Sequence, residues 1–574
     1  MSSSERSAES SAPRNSLSYR VTGSPFSAML TAFVAVLVFV PAVLYGNFVY
    51  DDHIHIVNNA RLRMPNGWWE VLTTPAFPGS LYRPITYLSY WIEAQLFSIK
   101  AWHFLALNAL LHGVNTALLY KLISNLRLPN VAFITALIFA VHPIHTEVVA
   151  NGVGRAELLA LFFGLSGLIA FTRQRPGFAM LFFLLSALSK ESGLVFPLLA
   201  FVLTIARDDD RYAESMVLSL FTIGVVLALR YFAVGAVLSP HAFDVIDNPL
   251  STLDVPTRAV NALILLERYI SLNIFPFPLS ADYSFATIIP VTLASLPYLQ
   301  LTLAVVLLFG GALALMRGYL IGFGLVWFFT AFLLTCNLFF PIGTAFAERL
   351  AYAPSIGICL VIASLAVELR SFIAQALLVF IVTALFAGIT QLYLPAWTSD
   401  KALVEYQMGV YPNSVKMLVN YSVVKRDYGE LAEAERAAKR ALELHPKSDE
   451  AMFSLGVIYL RTERVEEGKS LLLRALEIVP DHTEILNVLA RQSLREEDFD
   501  MARGIIDRGL RAEPLNDKLL AAKYLLAVAV QDFSGAKKIE EKLKAVGSED
   551  RDYLRVREQL RAILRGAARE EEKE

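Results

Sequence analysis

The stretch that decides the fold is PFSAMLTAFVAVLVFVPAVLYGNFVYDD, residues 25–52. Residues 25–45 carry no charged side chain, and roughly 20 apolar residues are enough for a helix to cross a bilayer. The chain has 574 residues, of which 55% are hydrophobic and 18% charged, and its mean hydropathy is positive. This composition indicates an integral membrane protein, with the run from residue 25 as an uncleaved signal anchor.

The net charge of −2 provides no basic field of the kind that binds nucleic acid, so we do not expect nucleic acid as a partner. The two cysteines, Cys336 and Cys359, both lie in apolar runs. They support neither a disulfide framework nor a cysteine-based metal site.

Long apolar runs recur up to about residue 395 and predict about eleven spans. These are about 27–46, 103–124, 131–150, 155–172, 177–190, 192–206, 213–236, 299–316, 319–340, 352–369 and 372–394. The stretch 260–279 is ambiguous between a span and an interfacial helix. Short loops rich in Lys and Arg remain cytoplasmic, and their alternation is consistent only if 260–279 does not span. The loops DDHIH, HPIHTEVVANGVGRAE, SKESG and AERLAYAPS, and the C-terminal third, are then extracytoplasmic.

The last third of the chain has a period of 34 residues, which is the tetratricopeptide period. The prolines that mark it are Pro412, Pro446, Pro480 and Pro514, and small residues keep the same spacing at Ala434, Gly468, Ala502 and Ala536. Small residues are needed where the two helices of a repeat approach closely. About three and a half repeats are expected, presenting a surface to a protein or peptide.

The sequence therefore predicts an all-α chain in four parts. They are a disordered cytoplasmic tail (1–24), a polytopic membrane domain (25–396), an extracytoplasmic tetratricopeptide solenoid (397–550) and a charged C-terminal helix (551–574).

Asp51 and Asp52 follow the first span directly and precede a segment rich in Trp and Tyr, which is typical of helices at the headgroup level of a membrane. Acids held there can meet a lipid-borne substrate. The alternative is that they are solvated polar residues at the end of a membrane span, with no role in function.

A second cluster consists of His142, His145 and Glu147. With an aspartate from another loop, these residue types can ligate a divalent cation, and this is the one cofactor that the sequence suggests. The alternative is that they are polar loop residues without a metal.

Further ionisable residues interrupt or flank the apolar runs, where they are costly unless used or paired. They are Arg83, Arg155, Lys190, Glu191, Glu348 and Arg349. Cations on the outer face can hold a phosphate or pyrophosphate, and Arg does so with two donors at once. The alternative is local Lys–Glu and Glu–Arg pairing at helix ends.

The series YDDHIHIVNN, RPITYLSYWIEAQLF, FAVHPIHTEVVANGVGRAELLA, LSKESG and ERLAYAPSIG, followed by the repeats, resembles the transmembrane and tetratricopeptide-repeat O-mannosyltransferases and their bacterial relatives. These belong to the GT-C superfamily of polytopic glycosyltransferases. The resemblance implies an inverting transfer of a sugar from a polyprenyl-phosphate donor to a hydroxyl acceptor, with a protein as the expected acceptor and with membrane lipid around the enzyme.

The resemblance also implies roles for residues. An acid of the first external loop, Asp51 or Asp52, acts at the acceptor hydroxyl. The donor phosphate is expected to bind Arg349, Lys190, Arg155 and Arg83, with support from Glu348 and Glu191. A bacterial inner membrane is favoured over the endoplasmic reticulum.

Two other functions remain open from the sequence. The repeats alone can make the protein a membrane-tethered scaffold for the assembly of extracytoplasmic proteins or glycans. The many spans can also form a transporter, which predicts paired broken helices in two related halves.

Overall fold

The computed structural model describes residues 24–571 except 77–80, 237–242 and 293–296, so the tail predicted at 1–24 lies almost wholly outside the described residues. Apart from an isolated bridge between Phe285 and Ile288, the described residues form helices, turns and loops, which confirms the all-α class. The chain divides into two compact units, Met1–Ser414 and Val415–Glu574. The predicted boundary at 396/397 stays a prediction.

The first unit contains seventeen described α-helices, most of them apolar. They are α1 (Pro25–Val38), α2 (Val40–Tyr45), α3 (Gly67–Thr73), α4 (Pro84–Phe97), α5 (Ala101–Ser124), α6 (Pro129–Val141), α7 (Thr146–Val149), α8 (Arg155–Thr172), α9 (Pro176–Ser189), α10 (Val195–Arg207), α11 (Tyr212–Val234), α12 (Val255–Ile274), α13 (Tyr298–Met316), α14 (Leu320–Phe332), α15 (Ser355–Val367), α16 (Phe372–Tyr393) and α17 (Asp400–Val410).

Short turns of 3₁₀ or π-helix lie at the ends of these helices, where most of the candidate site residues are found. The turns are His53–Val57, Ala60–Leu62, Pro143–His145, Gly152–Gly154, Glu191–Leu194, Glu348–Ala351 and Leu394–Thr398.

Five helices of the described chain are long and apolar enough to cross a membrane, or six if one bent pair counts as a single span. The five are Pro25–Tyr45, Gly152–Thr172, Tyr212–Val234, Tyr298–Met316 and Phe372–Thr398. Each of the eleven predicted segments contains a helix, but α9, α10, α14 and α15 have only 13 or 14 residues. The structure thus supports a multi-pass membrane protein. The count of eleven spans stays a prediction.

The ambiguous stretch 260–279 falls largely in α12, which is not among the candidate spans. It carries Arg258, Glu267 and Arg268 within its 20 residues. Three charges in so short a helix are expensive at membrane depth, which explains why α12 fails as a span.

The bent pair joins Pro129–Val141 to Pro143–Val149 at an angle of 54°. Pro143 has no backbone N–H to continue the hydrogen-bond ladder of α6, so the helix ends at Val141 and the chain turns. The bend places residues 142–154 in a compact series of short turns at the end of the apolar helices.

Close glycine contacts bring the helices of the core together. A Cβ added to Gly324 would lie 2.6 Å from the carbonyl oxygen of Gly357, so α14 and α15 touch through their backbones. Large side chains such as Phe39, Trp327 and Trp397 are fully buried around this core.

The second unit consists of helix pairs that repeat every 34 residues. Between Val415 and Ala545, all of which the structure describes, there are four pairs, half a pair more than predicted. The first helices of the pairs are α18 (Val415–Asp427), α20 (Asp449–Arg461), α22 (Thr483–Arg495) and α24 (Asp517–Ala529); the second are α19 (Leu431–Leu444), α21 (Val465–Ile478), α23 (Phe499–Ala512) and α25 (Phe533–Ala545). The charged helix α26 (Arg551–Glu571) follows.

The small residues of the repeat pack where they were expected to. Ala434, Ala502 and Ala536 are at most 2% exposed, and a Cβ on Gly468 would lie 2.9 Å from the carbonyl oxygen of Gly456 on the partner helix. The 34-residue spacing therefore reports close helix pairing, as in tetratricopeptide repeats.

Candidate active site

The carboxylate of Asp52 is fully buried and ties the turn after α2 to a loop 100 residues away. It accepts hydrogen bonds from the backbone N–H groups of Val49 (3.3 Å), Gly152 (3.1 Å) and Val153 (2.8 Å). Burial raises the pKa of Asp52 to about 7, although the three N–H donors act in the opposite direction. Both carboxylate oxygens of Asp52 are therefore hydrogen-bonded to backbone N–H groups, and these bonds stabilise the conformation of the turn.

Asp51 has the opposite environment. Its side chain is partly exposed and makes no hydrogen bond to any residue that the structure describes. Its charge acts on the Arg349 guanidinium and on the His55 ring, so the Asp51 carboxylate lies in electrostatic range of both side chains. Of the two aspartates, Asp51 is the one whose carboxylate is available to a substrate.

Arg349 is paired with Glu147, one of the three residues of the predicted histidine–glutamate cluster. Glu147 is 4% exposed, and it accepts the backbone N–H of Arg349 at 2.8 Å and a hydrogen bond from the guanidinium Nη1. Burial opposes the charged form of Arg349, but Glu147 and Asp51 raise its pKa above the ordinary value. Within the described chain, Nε and Nη2 of this guanidinium donate to no protein group, and 29% of the side chain is exposed.

A further predicted cation, Lys190, lies in electrostatic range of Arg349, and Arg83 lies in range of Lys190. The Nε and Nη2 of Arg83 donate to Oε2 of Glu191 at 2.9 and 2.8 Å, and Lys190 is paired with the buried Glu157. The charges of Arg83 and Arg349 both act on Lys190. The structure thus brings three cations together, each oriented by its own glutamate.

Arg155 is not part of this group of cations, although it was predicted to bind phosphate. Its side chain has no exposure; Nε donates to Asn108 Oδ1 at 2.9 Å, Nη2 donates to the carbonyl oxygen of Phe104 at 2.8 Å, and Nη1 is paired with Glu93. Every nitrogen of the guanidinium therefore has a protein partner. The geometry favours a structural network under α4 and α5 over a contact with donor phosphate.

The two histidines of the predicted cluster bind the surrounding protein instead of converging on Glu147 as metal ligands. The Nε2 of His142 donates to the carbonyl oxygen of Asn273 at 2.9 Å, and its Nδ1 accepts the N–H of Ile144 at 3.2 Å. The Nε2 of His145 is hydrogen-bonded to Ser355 Oγ at 2.9 Å. Among the described residues no group of three or more His, Cys, Asp or Glu has the geometry of a metal site, so these residues do not fit the divalent cation.

Glu348 is fully buried beside Arg349 and is held by neutral donors. Its Oε1 accepts the N–H of Ser280 at 2.5 Å and the hydroxyl of Tyr283 at 2.7 Å. Burial, reinforced by the charge of Glu147, raises the pKa of Glu348 well above its ordinary value of 4.5. Burial therefore favours the neutral form of the Glu348 carboxyl, which packs next to Arg349.

The raised pKa of Glu348 leads to a pH prediction for Glu348→Gln. An acid whose pKa is raised on folding costs the wild type stability as the pH rises above the ordinary value of 4.5, because the unfolded chain loses the proton first. Glutamine keeps the carbonyl acceptor and has no proton to lose. We expect the thermal midpoint of the variant, measured in detergent, to gain on that of the wild type as the pH rises above 4.5, the ordinary pKa of the carboxyl; parallel curves would contradict the assignment.

Gly152 makes a second prediction possible. A Cβ at this position would lie 2.9 Å from Asp52 Oδ1 and 2.8 Å from Ile56 Cδ1. We expect Gly152→Ala to lower the free energy of unfolding by about 1–3 kcal/mol, because the contact between the loop and Asp52 must open. Gly177→Ala is the matched control, since its Cβ would meet nothing within 4 Å, and its thermal midpoint should stay at or above that of the wild type.

Three residues near Asp51 were not singled out as functional from the sequence: His55, Tyr87 and Asp400. His55 Nδ1 is hydrogen-bonded to Tyr87 OH at 2.5 Å, and burial lowers the pKa of His55 to about 4, so the imidazole is neutral beside Asp51. The carboxylate of Asp400 is hydrogen-bonded to the backbone N–H of Tyr50 and to Nε2 of His53, which lie before and after Asp51 in the chain. The only local signal at Asp400 is its position after a helix-capping Ser399, which is common in soluble helices.

Known proteins match both parts of the chain. The tetratricopeptide-repeat family model matches residues 426–492. The protein O-mannosyl-transferase F38B6.6 of Caenorhabditis elegans is 29% identical over 432 residues, covering 71% of this chain and 61% of the relative. Human protein O-mannosyl-transferase TMTC4 is 30% identical over 487 residues, covering 70% of this chain and 64% of the relative.

The chain is a relative of the TMTC protein O-mannosyltransferases. Mouse TMTC3 matches in addition at 29% identity, over 58% of this chain and 42% of its own length. The chain thus spans about 40–65% of the length of the TMTC relatives named here. Among solved structures, the crystal structure of the yeast Tom70 aligns over 75% of this chain and 85% of that chain, with 13% identity and a TM-score of 0.23.

Proposed function

We propose that this chain is an inverting glycosyltransferase that moves mannose, or a mannose-like sugar, from a polyprenyl-phosphate donor to a hydroxyl of a protein acceptor on the extracytoplasmic face. One observation carries the proposal: the partly exposed, unbonded carboxylate of Asp51 lies in the electrostatic range of Arg349, whose Nε and Nη2 have no acceptor among the described residues. The relatives named protein O-mannosyl-transferases support the choice of sugar and acceptor.

In the proposed reaction, Asp51 is the general base. Its carboxylate accepts the proton of the acceptor hydroxyl while that oxygen forms a bond to the anomeric carbon of the sugar. The bond between the anomeric carbon and the phosphate oxygen breaks on the opposite face, and the electron pair leaves with the polyprenyl phosphate. The configuration at the anomeric carbon is inverted because attack and departure occur on opposite faces.

Arg349 and Arg83 bind the departing phosphate in this proposal, and Lys190 adds positive charge behind them. Negative charge grows on the phosphate as the bond breaks, and preoriented cations stabilise that charge more than they stabilise the bound donor. The glutamates that hold them, Glu147 and Glu191, keep the guanidinium planes oriented before the donor arrives. Glu157 does the same for Lys190.

The proposed topology has eleven spans, with α9, α10, α14 and α15 as short members, and it places the site loops outside. The membrane domain is assigned to 25–396, and the repeats at 397–550 are assigned to binding of the acceptor protein, because arrays of such helix pairs offer extended surfaces. The bacterial inner membrane that the sequence favours stays a prediction.

The test is sugar transfer by the purified full chain in detergent or nanodiscs, with synthetic polyprenyl-phosphate-mannose as donor and a panel of extracytoplasmic Ser- and Thr-containing proteins as acceptors. We expect mannose on the acceptor, with an anomeric configuration opposite to that of the donor. Transfer from a nucleotide sugar without lipid, or retention of configuration, would contradict the proposal.

The scaffold function is the second candidate, favoured by the four helix pairs of the repeat unit. It predicts that Asp51 can be replaced without a phenotype, whereas deletion of the repeats abolishes function in cells. The transporter reading has less support, since the described chain shows one bent helix pair and not a matched set in two halves.

A further inference from the structure

The turn that presents Asp51 has a strained backbone. Tyr50, the residue directly before Asp51, has a φ of +55°, a left-handed conformation that a bulky side chain rarely adopts. Such a conformation persists only where surrounding contacts hold it, and such contacts often lie at functional sites. The question is therefore which contacts hold Tyr50.

Asp400, 350 residues later in the chain, supplies one of these contacts and bonds His53 in the same turn. Its Oδ1 accepts the backbone N–H of Tyr50 at 2.8 Å, and its Oδ2 is hydrogen-bonded to Nε2 of His53 at 2.7 Å. The two bonds hold the chain on both sides of Asp51. Asp52, which accepts the N–H of Val49, closes the same turn from the other side.

Asp400 is itself well positioned, at the first residue of α17. The hydroxyl of Ser399 caps this helix by accepting the N–H of Ala402 at 3.2 Å. A carboxylate in the first turn of a helix is also stabilised by the helix dipole. Asp400 therefore offers a fixed pair of acceptors to the turn.

The other end of α17 is hydrogen-bonded to the loop that contains Ser280 and Ala281. Gln407 has no exposure; its Nε2 donates to Ser280 Oγ at 2.5 Å, and its Oε1 accepts the N–H of Ala281 at 3.1 Å. The N–H of Ser280 donates to Glu348, the neighbour of Arg349. Helix α17 thus connects the segment that carries the acid with the segment that carries the cation.

We propose that Asp400 is a positioning residue that sets the Asp51 carboxylate for the reaction by holding the backbone of Tyr50 and the ring of His53. This inference rests on the proposed function, because it concerns the geometry of that same site. The side chains of His53 and Asp400 are 41% and 40% exposed, so their ion pair adds little to global stability. The main effect of Asp400 is on where Asp51 points.

The test compares Asp400→Ala with the wild type in the full chain, using polyprenyl-phosphate-mannose as donor. We expect kcat to fall by about 10-fold or more, since small misplacements of a catalytic group are costly, while the KM for donor changes less than about 2-fold. The thermal midpoint should remain close to that of the wild type. Lys401→Ala, one residue along the same helix, is the control for disturbance of α17 and should keep the kcat of the wild type.

A second variant separates positioning from a general structural role. Tyr50→Gly in the Asp400→Ala background should restore a substantial part of the lost kcat, because glycine adopts a φ of +55° without help from Asp400. An Asp400→Ala variant with the kcat of the wild type overturns the inference, and so does a loss of activity and thermal midpoint together that Tyr50→Gly does not restore. If the wild type itself transfers no sugar, the proposed function fails, a result distinct from either of these.

Discussion

Asp51→Asn will lower kcat for sugar transfer by about 10²–10⁴-fold, the usual contribution of a general base, and will leave the fold intact. Asparagine has the shape of aspartate but cannot accept the proton of the acceptor hydroxyl. Asp51 is partly exposed and makes no hydrogen bond within the described chain, so its replacement removes no structural contact. The measurement is kcat with saturating donor, together with a thermal midpoint in the same detergent.

Asp52→Asn is the matched control, one residue away. Its amide would turn a donor toward backbone N–H groups that now donate to a carboxylate, so we expect a loss of about 1–3 kcal/mol in the free energy of unfolding. Protein that remains folded should keep measurable transfer. The reverse pattern, with Asp51→Asn active and a stable Asp52→Asn inactive, would assign the base to Asp52.

Arg349→Gln will lower kcat by about 10²–10³-fold, because it removes a cation from the position where charge develops on the leaving phosphate. The same change leaves the carboxylate of Glu147, 4% exposed, without its charged partner and with only the backbone N–H of residue 349, and breaking such an ion pair commonly costs about 3–5 kcal/mol of stability. Activity and stability must therefore be measured together for this variant.

The double variant Glu147→Gln with Arg349→Gln separates the two effects. It removes both charges of the pair, so most of the lost stability should return while kcat stays low. If kcat returns along with the thermal midpoint, the contribution of Arg349 is structural, and the donor phosphate binds elsewhere.

Some features of the fold could be predicted because they depend on neighbouring residues or on a fixed period. The 34-residue spacing predicted the helix pairs, since the small residues at this period are buried and Gly468 meets the partner helix of its pair at Gly456. The first span and the paired acids at its exit could be identified in the same way from a single uncharged run.

The choice between Asp51 and Asp52 could not be made from the sequence. It depends on the N–H groups of Gly152 and Val153, which reach Asp52 from 100 and 101 residues away. Arg155 could not be separated from Arg349 for the same reason. Both follow apolar runs, but Glu93, Asn108 and Phe104 surround the first, while Glu147 leaves two nitrogens of the second without a protein acceptor in the described chain.

The most direct test of the central claim is a cryo-electron microscopy structure of the Asp51→Asn variant with polyprenyl-phosphate-mannose bound. We expect the donor phosphate within hydrogen-bond distance of the Arg349 guanidinium and close to Arg83, with the anomeric carbon of the sugar turned toward residue 51. A phosphate bound away from Arg349, or a sugar whose anomeric carbon faces away from residue 51, would contradict the account.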